Sequence, residues 1–458
     1  MSYADYIGAK LASVPPSGID AAHGLTGLFP HQDDLVAWAL RRGRCAIFAD
    51  TGLGKTRMQI AWANTVHRET GRDCLILAPL AVAPQTVAEG ESMGVKITHC
   101  LDGADARPGI NIANYERLHR LDPSRFGAVV LDESSCIKHH ETKTLKALID
   151  AFADTPYRLC ATATPAPNDW TELGTHAEFL GIRSRTEMLA EFFVHDGAET
   201  QVWRLKGHAR RAFWQWVASW GAMVRRPSDL GHDDSAYALP PLSVTQHAVK
   251  GPEIGGGMLF AMEAQTLMER RDARRESIAE RVTACASLVN AGRQPWVVWC
   301  DLNAEGDALR AAIPDAVEIR GADALELKES RLADFAAGKI RVLITKPSIA
   351  GFGLNWQHCA RMAFVGVTDS FEAYYQAVRR CWRFGQARPV EVHIFASERE
   401  GAVVANLKRK EHDALAMADA LSQETLASVR ENVLGARREH NPYIPSARIV
   451  VPNFLRAA

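Results

Sequence analysis

Nine consecutive residues offer the clearest chemistry in the chain: Phe48-Ala49-Asp50-Thr51-Gly52-Leu53-Gly54-Lys55-Thr56. An apolar run precedes them and the helix-compatible stretch RMQIAWANTV follows, the setting in which amides at a helix start close on a phosphate. There Thr51, Gly52 and Gly54 let the main chain wrap the anion, Lys55 reaches the β and γ oxygens of a triphosphate such as ATP, and the Thr56 hydroxyl ligates Mg²⁺. A glycine-rich strand-to-helix turn without nucleotide is the plainer alternative. About eighty residues on, the apolar run AVVL ends in Asp132-Glu133. Placed in the same sheet, Asp132 would hold Mg²⁺ through water and Glu133 would polarise the attacking water. An Asp-Glu at a strand end also serves simply as a helix cap.

A second set of groups stands far downstream. Arg379, Arg380 and Arg383 put guanidinium groups on neighbouring faces of one helix. A solvated basic face is one reading of such a cluster; a finger on a transferring phosphoryl group is the other, because the planar fork binds two oxygens at once. From Val202 to Arg226 six Lys and Arg occur without an acid, interleaved with Trp203, Phe213, Trp214, Trp216 and Trp220. The cations could follow a nucleic-acid backbone. The spacing of Phe213, Trp216, Val217 and Trp220 is that of a buried helix face, and core packing is the expected role of these aromatics.

Elements must carry these groups. Short apolar runs alternating with amphipathic stretches predict βαβ units around parallel sheets. Candidate strands are 45–48, 74–78, 128–131 and 158–161, then a later set at 296–300, 341–344, 362–365 and 390–395. The stretch from about Pro165 to Gly257 has few strand signals, and ALPPLSV with Gly255 to Gly257 marks a linker. At 458 residues the chain is long enough for two or more domains. The expected division is an ATP-binding lobe over 1–165, a helical insertion and hinge over 166–240, a second lobe over 241–400, and a C-terminal helical segment with an extended tail over 401–458.

Composition narrows the classes further. With 47% hydrophobic and 23% charged residues the chain is globular, and 53 Lys+Arg against 54 Asp+Glu exclude a uniformly basic binder. Nine cysteines without a C-x-x-C pair argue against structural zinc or a disulfide framework. The first residues lack a signal-peptide pattern and CLILAPLAVAP is too short and Pro-broken to span a bilayer, so a cytoplasmic location away from membranes is expected.

Taken together the motifs resemble those of superfamily 2 helicases and, within them, the Swi/Snf-like double-stranded DNA translocases, over about Leu28 to Phe395. Leu28-Phe29-Pro30-His31-Gln32 resembles the adenine-recognising segment, with Gln32 as the reader. Asp132-Glu133-Ser134-Ser135 resembles the D-E-x-H box, with Ser135 where relatives carry His. Thr162-Ala163-Thr164-Pro165, continued by Asn168 and Glu172-Leu173, resembles the motif that couples hydrolysis to movement. Gly351-Phe352-Gly353-Leu354-Asn355 is similar to a glycine-rich motif approaching phosphate. Gln376 to Gln386 is similar to the finger motif, in which Arg380 and Arg383 match the fingers and Gln376 their polar neighbour. Arg379 there replaces a common acid and Trp382 a common His. The resemblance implies two RecA-like parallel-sheet domains in tandem and an α/β fold. It also implies ATP with Mg²⁺ and double-stranded DNA as partner, with Gln85, Thr86, Asn114, Tyr115, Lys346 and Ser348 gripping the strand. A strand-separating helicase and a nucleic-acid-binding ATP switch remain open. So does a protein partner for the tail. The compact size resembles bacteriophage and prophage helicase-like proteins.

Overall fold

The structure is a computed structural model that describes residues 16–20, 27–79, 82–137, 142–166, 169–196, 199–249, 272, 274–350, 355–366, 370–398, 409 and 422–434. Its strands are β1 (Arg44–Ala49), β2 (Asp73–Ala78), β3 (Ile97–His99), β4 (Ile110–Asn114), β5 (Phe126–Asp132), β6 (Tyr157–Thr162), β7 (Phe193–Asp196), β8 (Glu199–Leu205), β9 (Gly221–Val224), β10 (Leu242–Val249), β11 (Trp296–Trp299), β12 (Ala316–Glu318), β13 (Val342–Thr345), β14 (Arg361–Phe364) and β15 (Val390–Ser397). They form a seven-stranded sheet in the order β3-β4-β2-β5-β6-β1-β9 and a six-stranded sheet in the order β10-β15-β14-β11-β13-β12. Every pairing within these two sheets is parallel. Two parallel-sheet α/β domains are therefore present, as the alternating pattern predicts.

The central strands are apolar on both faces because helices cover both faces of a parallel sheet. Along β1 the side chains alternate between two cores: Cys45, Ile47 and Ala49 pack with the helices Pro30–Arg42 and Lys55–Thr70. Ala46 and Phe48 pack on the opposite side with Phe213 and Trp220. The second sheet repeats this, with Val297 and Trp299 facing one core and Trp296, Val298 and Cys300 the other.

The stretch 166–240 is more than a helical insertion. It carries the antiparallel pair β7 and β8, and it returns β9 to the first sheet beside β1, with Ala46 to Ala49 paired to Gly221 to Val224. The expectation of few strands fails here because Gly-Ala-Met-Val is short and glycine-led, and only the neighbouring strand makes it extended. The aromatics do face the core: Phe213, Trp214, Trp216 and Trp220 are all buried. Trp220 meets Phe48 edge-on at 6.0 Å and Trp216 at 5.4 Å. Trp220→Ala is expected to destabilise the first lobe by about 3–5 kcal/mol, read as a loss of denaturation midpoint. Of the cations in this stretch, Lys206 caps the Ala190 and Glu191 carbonyls and Arg210 pairs with Glu424, while Arg204 and Arg211 face solvent.

The helical stretch over 422–434 follows the second sheet in sequence yet packs on the first lobe, with Val429 and Val433 in its core. Arg430 donates to the Ser228 and Asp229 carbonyls, at 2.7 and 2.5 Å, and Asn432 to the Ala218 carbonyl at 2.9 Å. The expected extended tail, 441–458, lies outside the described residues. No described helix is long and apolar enough to cross a membrane.

Candidate active site

Strand register gathers the groups that could do chemistry at one edge of the first sheet. Phe48 is level with Thr162, Asp132 with Ala161 and Ala49 with Val224, so the phosphate loop, the Asp132-Glu133 pair and the Thr162 motif all leave the carboxyl ends of adjacent strands. That edge is where open parallel sheets bind ligands.

The loop itself is shaped by two left-handed glycines, Gly52 at φ 95° and Gly54 at φ 80°, the latter starting the helix Lys55–Thr70. A side chain at Gly54 would collide with Gln32, its nearest atom 2.2 Å from an added Cβ. Gln32 is buried against the loop: its Nε2 donates to the Leu53 carbonyl at 3.0 Å and its Oε1 accepts from the Phe29 amide at 3.0 Å. Lys55 Nζ donates to the Ala49 carbonyl at 2.9 Å and the Asp50 carbonyl at 3.4 Å. Thr51 and Thr56 are half-buried on the loop and the first helical turn.

Asp132 and Glu133 are both buried. Gln59 Nε2 donates to Asp132 Oδ1 at 2.6 Å, and Tyr115 donates its hydroxyl proton to the Asp132 carbonyl at 2.8 Å. Burial, helped by the neighbouring Glu133 carboxylate, pushes Asp132 up from 3.8 to about 6. Glu133 occupies φ 51°, a conformation rarely adopted outside glycine and a form of strain that gathers at functional sites. Thr162 Oγ1 lies 3.5 Å from Glu133 Oε2, so the coupling motif touches the carboxylate directly despite Ser135 at the usual His position. A second connection was not foreseen. His176, buried and held near pKa 4 by that burial, shares a hydrogen bond of 3.1 Å with Ser134 Oγ and reaches the Glu172 carbonyl.

The second lobe contributes the arginines from the segment after the helix Phe371–Val378. Arg380 is buried, with Nε donating to the Gln376 carbonyl at 2.9 Å and Nη2 to Gln376 Oε1 at 3.0 Å. Burial lowers its proton affinity, against the pull of Glu133 and Asp132. For Arg383 burial and then the like charge of Arg380 act downward, while Glu133 opposes them. Burial likewise lowers Lys55, against Glu133, Asp50 and Asp132 and with the repulsion of Arg383. Lys55, Asp132, Glu133, Arg380 and Arg383 thus share one electrostatic field across the crevice between lobes. Three crowded, desolvated cations against two carboxylates favour an added polyanion.

Of the remaining expected contacts, Gly353 and Asn168 lie outside the described residues. Gln376 is buried behind Arg380, and its Nε2 has no hydrogen-bond partner. Three of the residues expected to grip the strand are buried or bonded within the protein. Thr86 is buried and its hydroxyl donates to the Val82 carbonyl, because a helical threonine bonds back one turn. Asn114 is 1% exposed at the end of β4, and the Tyr115 hydroxyl is spent on Asp132. Gln85 and Lys346 are half-buried and Ser348 is exposed.

The donors fit nucleotide and Mg²⁺. Among the described residues no group of three or more His, Cys, Asp or Glu is placed to hold a metal. Mg²⁺ bound beside a phosphate takes only one or two protein oxygens, a number that the Thr56 hydroxyl directly and Asp132 through water would satisfy. ATP with Mg²⁺ at one hundred times its dissociation constant is expected to stabilise the chain by about 2.7 kcal/mol, seen as a raised Tm. The raised Asp132 pKa gives this a pH signature. Its protonated form contributes stability below the unfolded value, and that contribution fades as pH rises toward 6. Mg²⁺ needs the ionised form, so the Mg²⁺-dependent gain in Tm should be smaller below pH 6 than above it.

Residues 29–173 match the family model described as DEAD/DEAH box helicase. Over that span the chain is similar to DEAD/DEAH box helicases. The enzyme class this indicates is a nucleic-acid-dependent ATPase. The match takes in Gln32, the phosphate loop, Asp132-Glu133, Thr162 and Glu172, and ends before the second sheet. Among solved structures the chain is similar to the SWI2/SNF2 ATPase core of Sulfolobus solfataricus in complex with double-stranded DNA. That likeness has 18% identity and a TM-score of 0.41, and covers 92% of this chain and 99% of that one. No curated protein matches the chain.

Proposed function

We propose that the chain is a motor that translocates on double-stranded DNA by hydrolysing ATP between two RecA-like lobes. The observation that carries this reading is the shared field of Lys55 and Glu133 on one lobe with Arg380 and Arg383 on the other. A nucleotide seated there bridges both lobes, so its binding and loss change their relation.

In this reading the amides of Gly52 and Gly54 with the Lys55 ammonium hold the β and γ phosphates, Thr51 keeps the loop in shape through its amide bond to Asp50, and Gln32 reads the adenine. Glu133 takes the proton of the attacking water, and Thr162 senses its state through the 3.5 Å contact. Arg380 and Arg383 neutralise charge that develops on the transferring group. Asp132 and Thr56 hold Mg²⁺, which supplies further charge neutralisation at the phosphates. Gln376 aims Arg380; a phosphate contact by Gly353, which lies outside the described residues, belongs to the same proposal. Gln85, Lys346 and Ser348 contact the DNA backbone.

Burial of Phe213, Trp214, Trp216 and Trp220 supports translocation over strand separation, since a wedge must present its rings to the bases. The lobes divide near 240, where the second sheet begins at Leu242. A cytoplasmic site of action, a bacteriophage or prophage origin and a partner for the tail, residues 441–458, belong to the same reading. The test is ATP turnover with no polymer, duplex DNA, single-stranded DNA and RNA. Stimulation greatest with duplex is expected; equal rates in all four remove the motor.

A further inference from the structure

The phosphate loop and the second lobe are joined by a contact that no step above uses. Asp50 stands two residues before Gly52. Its Oδ1 accepts from the Thr51 amide at 2.6 Å and the Tyr375 hydroxyl at 3.1 Å, and its Oδ2 accepts from Arg379 Nη2 at 3.1 Å. Arg379 is itself braced. Its Nε donates to the Tyr375 oxygen at 3.1 Å, and its guanidinium lies 5.3 and 4.9 Å from the ring centres of Tyr375 and Trp382. Trp382 in turn donates Nε1 to the Pro240 carbonyl at 2.8 Å.

The pair is well sheltered, with side-chain exposure of 7% for Arg379 and 21% for Asp50. A charge-assisted hydrogen bond in such a place is strong and directional. Burial alone would raise the Asp50 carboxyl; Arg379 and the Thr51 amide outweigh it and hold it below its ordinary value. Arg379 directly precedes Arg380 and lies four residues before Arg383, while Asp50 directly precedes the glycine loop and is five residues before Lys55. Fixing one to the other sets the register of the fingers against the phosphate site. A further contact keeps the same register: a Cβ added to Gly52 would lie 3.3 Å from Phe384.

We propose that Arg379 is a positioning residue: with Tyr375 it clamps Asp50, docking the arginine-bearing segment on the phosphate loop so that Arg380 and Arg383 are aimed before ATP arrives. This deepens the hydrolysis reading and rests on it. The clamp touches no phosphate, so its loss misplaces the fingers without removing a nucleotide contact, and small misplacements of catalytic groups cost rate.

The test compares the full chain with Arg379→Gln, Asp50→Asn, their double variant and Arg379→Lys, under saturating duplex DNA. Arg379→Gln and Asp50→Asn should each lower kcat by about tenfold with KM for ATP little changed. The double variant should be no slower than the slower single, since both remove one interaction. Arg379→Lys, which keeps the charge, should recover part of the rate. Unchanged or raised kcat, additive losses, or a change confined to KM would overturn the proposal. If Arg379→Gln does not fold, Asp50→Asn and Arg379→Lys decide the matter by the same kcat and KM criteria. Lys55→Ala is the separate arm for the underlying reading: full ATPase activity in that variant removes hydrolysis at this site, whatever the Arg379 variants do.

Discussion

Glu133→Gln is expected to abolish turnover while leaving the nucleotide bound. Loss of a general base lowers kcat by about 10³-fold. Glutamine keeps the length and shape of the side chain, so the unusual backbone at φ 51° has no new demand placed on it. Affinity should hold or rise. Glu133 is the foremost carboxylate opposing the desolvation of Lys55 and of Arg380, and removing its charge leaves the crevice more positive toward a polyanion. Asp132 should also ionise at lower pH, since Glu133 is the second cause of its upward shift after burial. Fluorescent-nucleotide titration with single-turnover hydrolysis separates the two effects. A variant that still turns over at a tenth of the parent rate would show that another group activates the water.

Arg383→Ala is expected to cost as much by a different route. A phosphoryl-transfer arginine contributes on the order of 10³-fold or more to kcat. Arg383 is half-buried beside Arg380, and their like charges oppose each other until an anion lies between them. Deleting it relieves that repulsion, so stability should not fall, and the defect should sit in the chemical step. Arg383→Lys should restore little, because an ammonium cannot bind two oxygens in a plane. Arg380→Ala is the less discriminating variant. It strands the buried Gln376 Oε1 and so adds a folding defect to the kinetic one. Rapid-quench measurement at saturating ATP reads the step directly; a tenfold or smaller loss in Arg383→Ala would leave Arg380 as the only finger.

The sequence displayed those parts of the site whose chemistry is local. Gly52, Gly54 and Lys55 lie within four residues, as do Arg380 and Arg383, and each group carries its geometry with it. Strands buried on both faces were equally legible as apolar runs, β1, β2, β5, β6, β11, β13 and β14 among them, and β15 as a run that alternates at Glu391 and His393. β4 was not, since Asn111 and Asn114 interrupt it; Asn111 is tolerated in the core because its amide bonds the Arg107 and Gly109 carbonyls. Supporting residues stayed hidden because their role exists only through a distant partner. Gln59 meets Asp132 across 73 residues, His176 meets Ser134 across 42 and Arg379 meets Asp50 across 329. The run around Arg274 and Arg281 shows the same limit from the other side. Its charges recur at helical spacing, yet Arg281 is fully buried against Glu305 and Arg274 reaches Asp301, partners that no local spacing reveals.

The return of residues 422–434 to the first lobe has a mechanical consequence. The chain departs beside Ser228 and Asp229, and Arg430 is bonded to those same two carbonyls. The second lobe is thus inserted in sequence between two parts of the first, and those parts are bonded to each other through Arg430. A turn of the second lobe against the first therefore pulls on a root that is fastened to itself. That root lies near the phosphate loop, because it follows β9, whose Val224 carbonyl accepts the Asp50 amide at 3.0 Å.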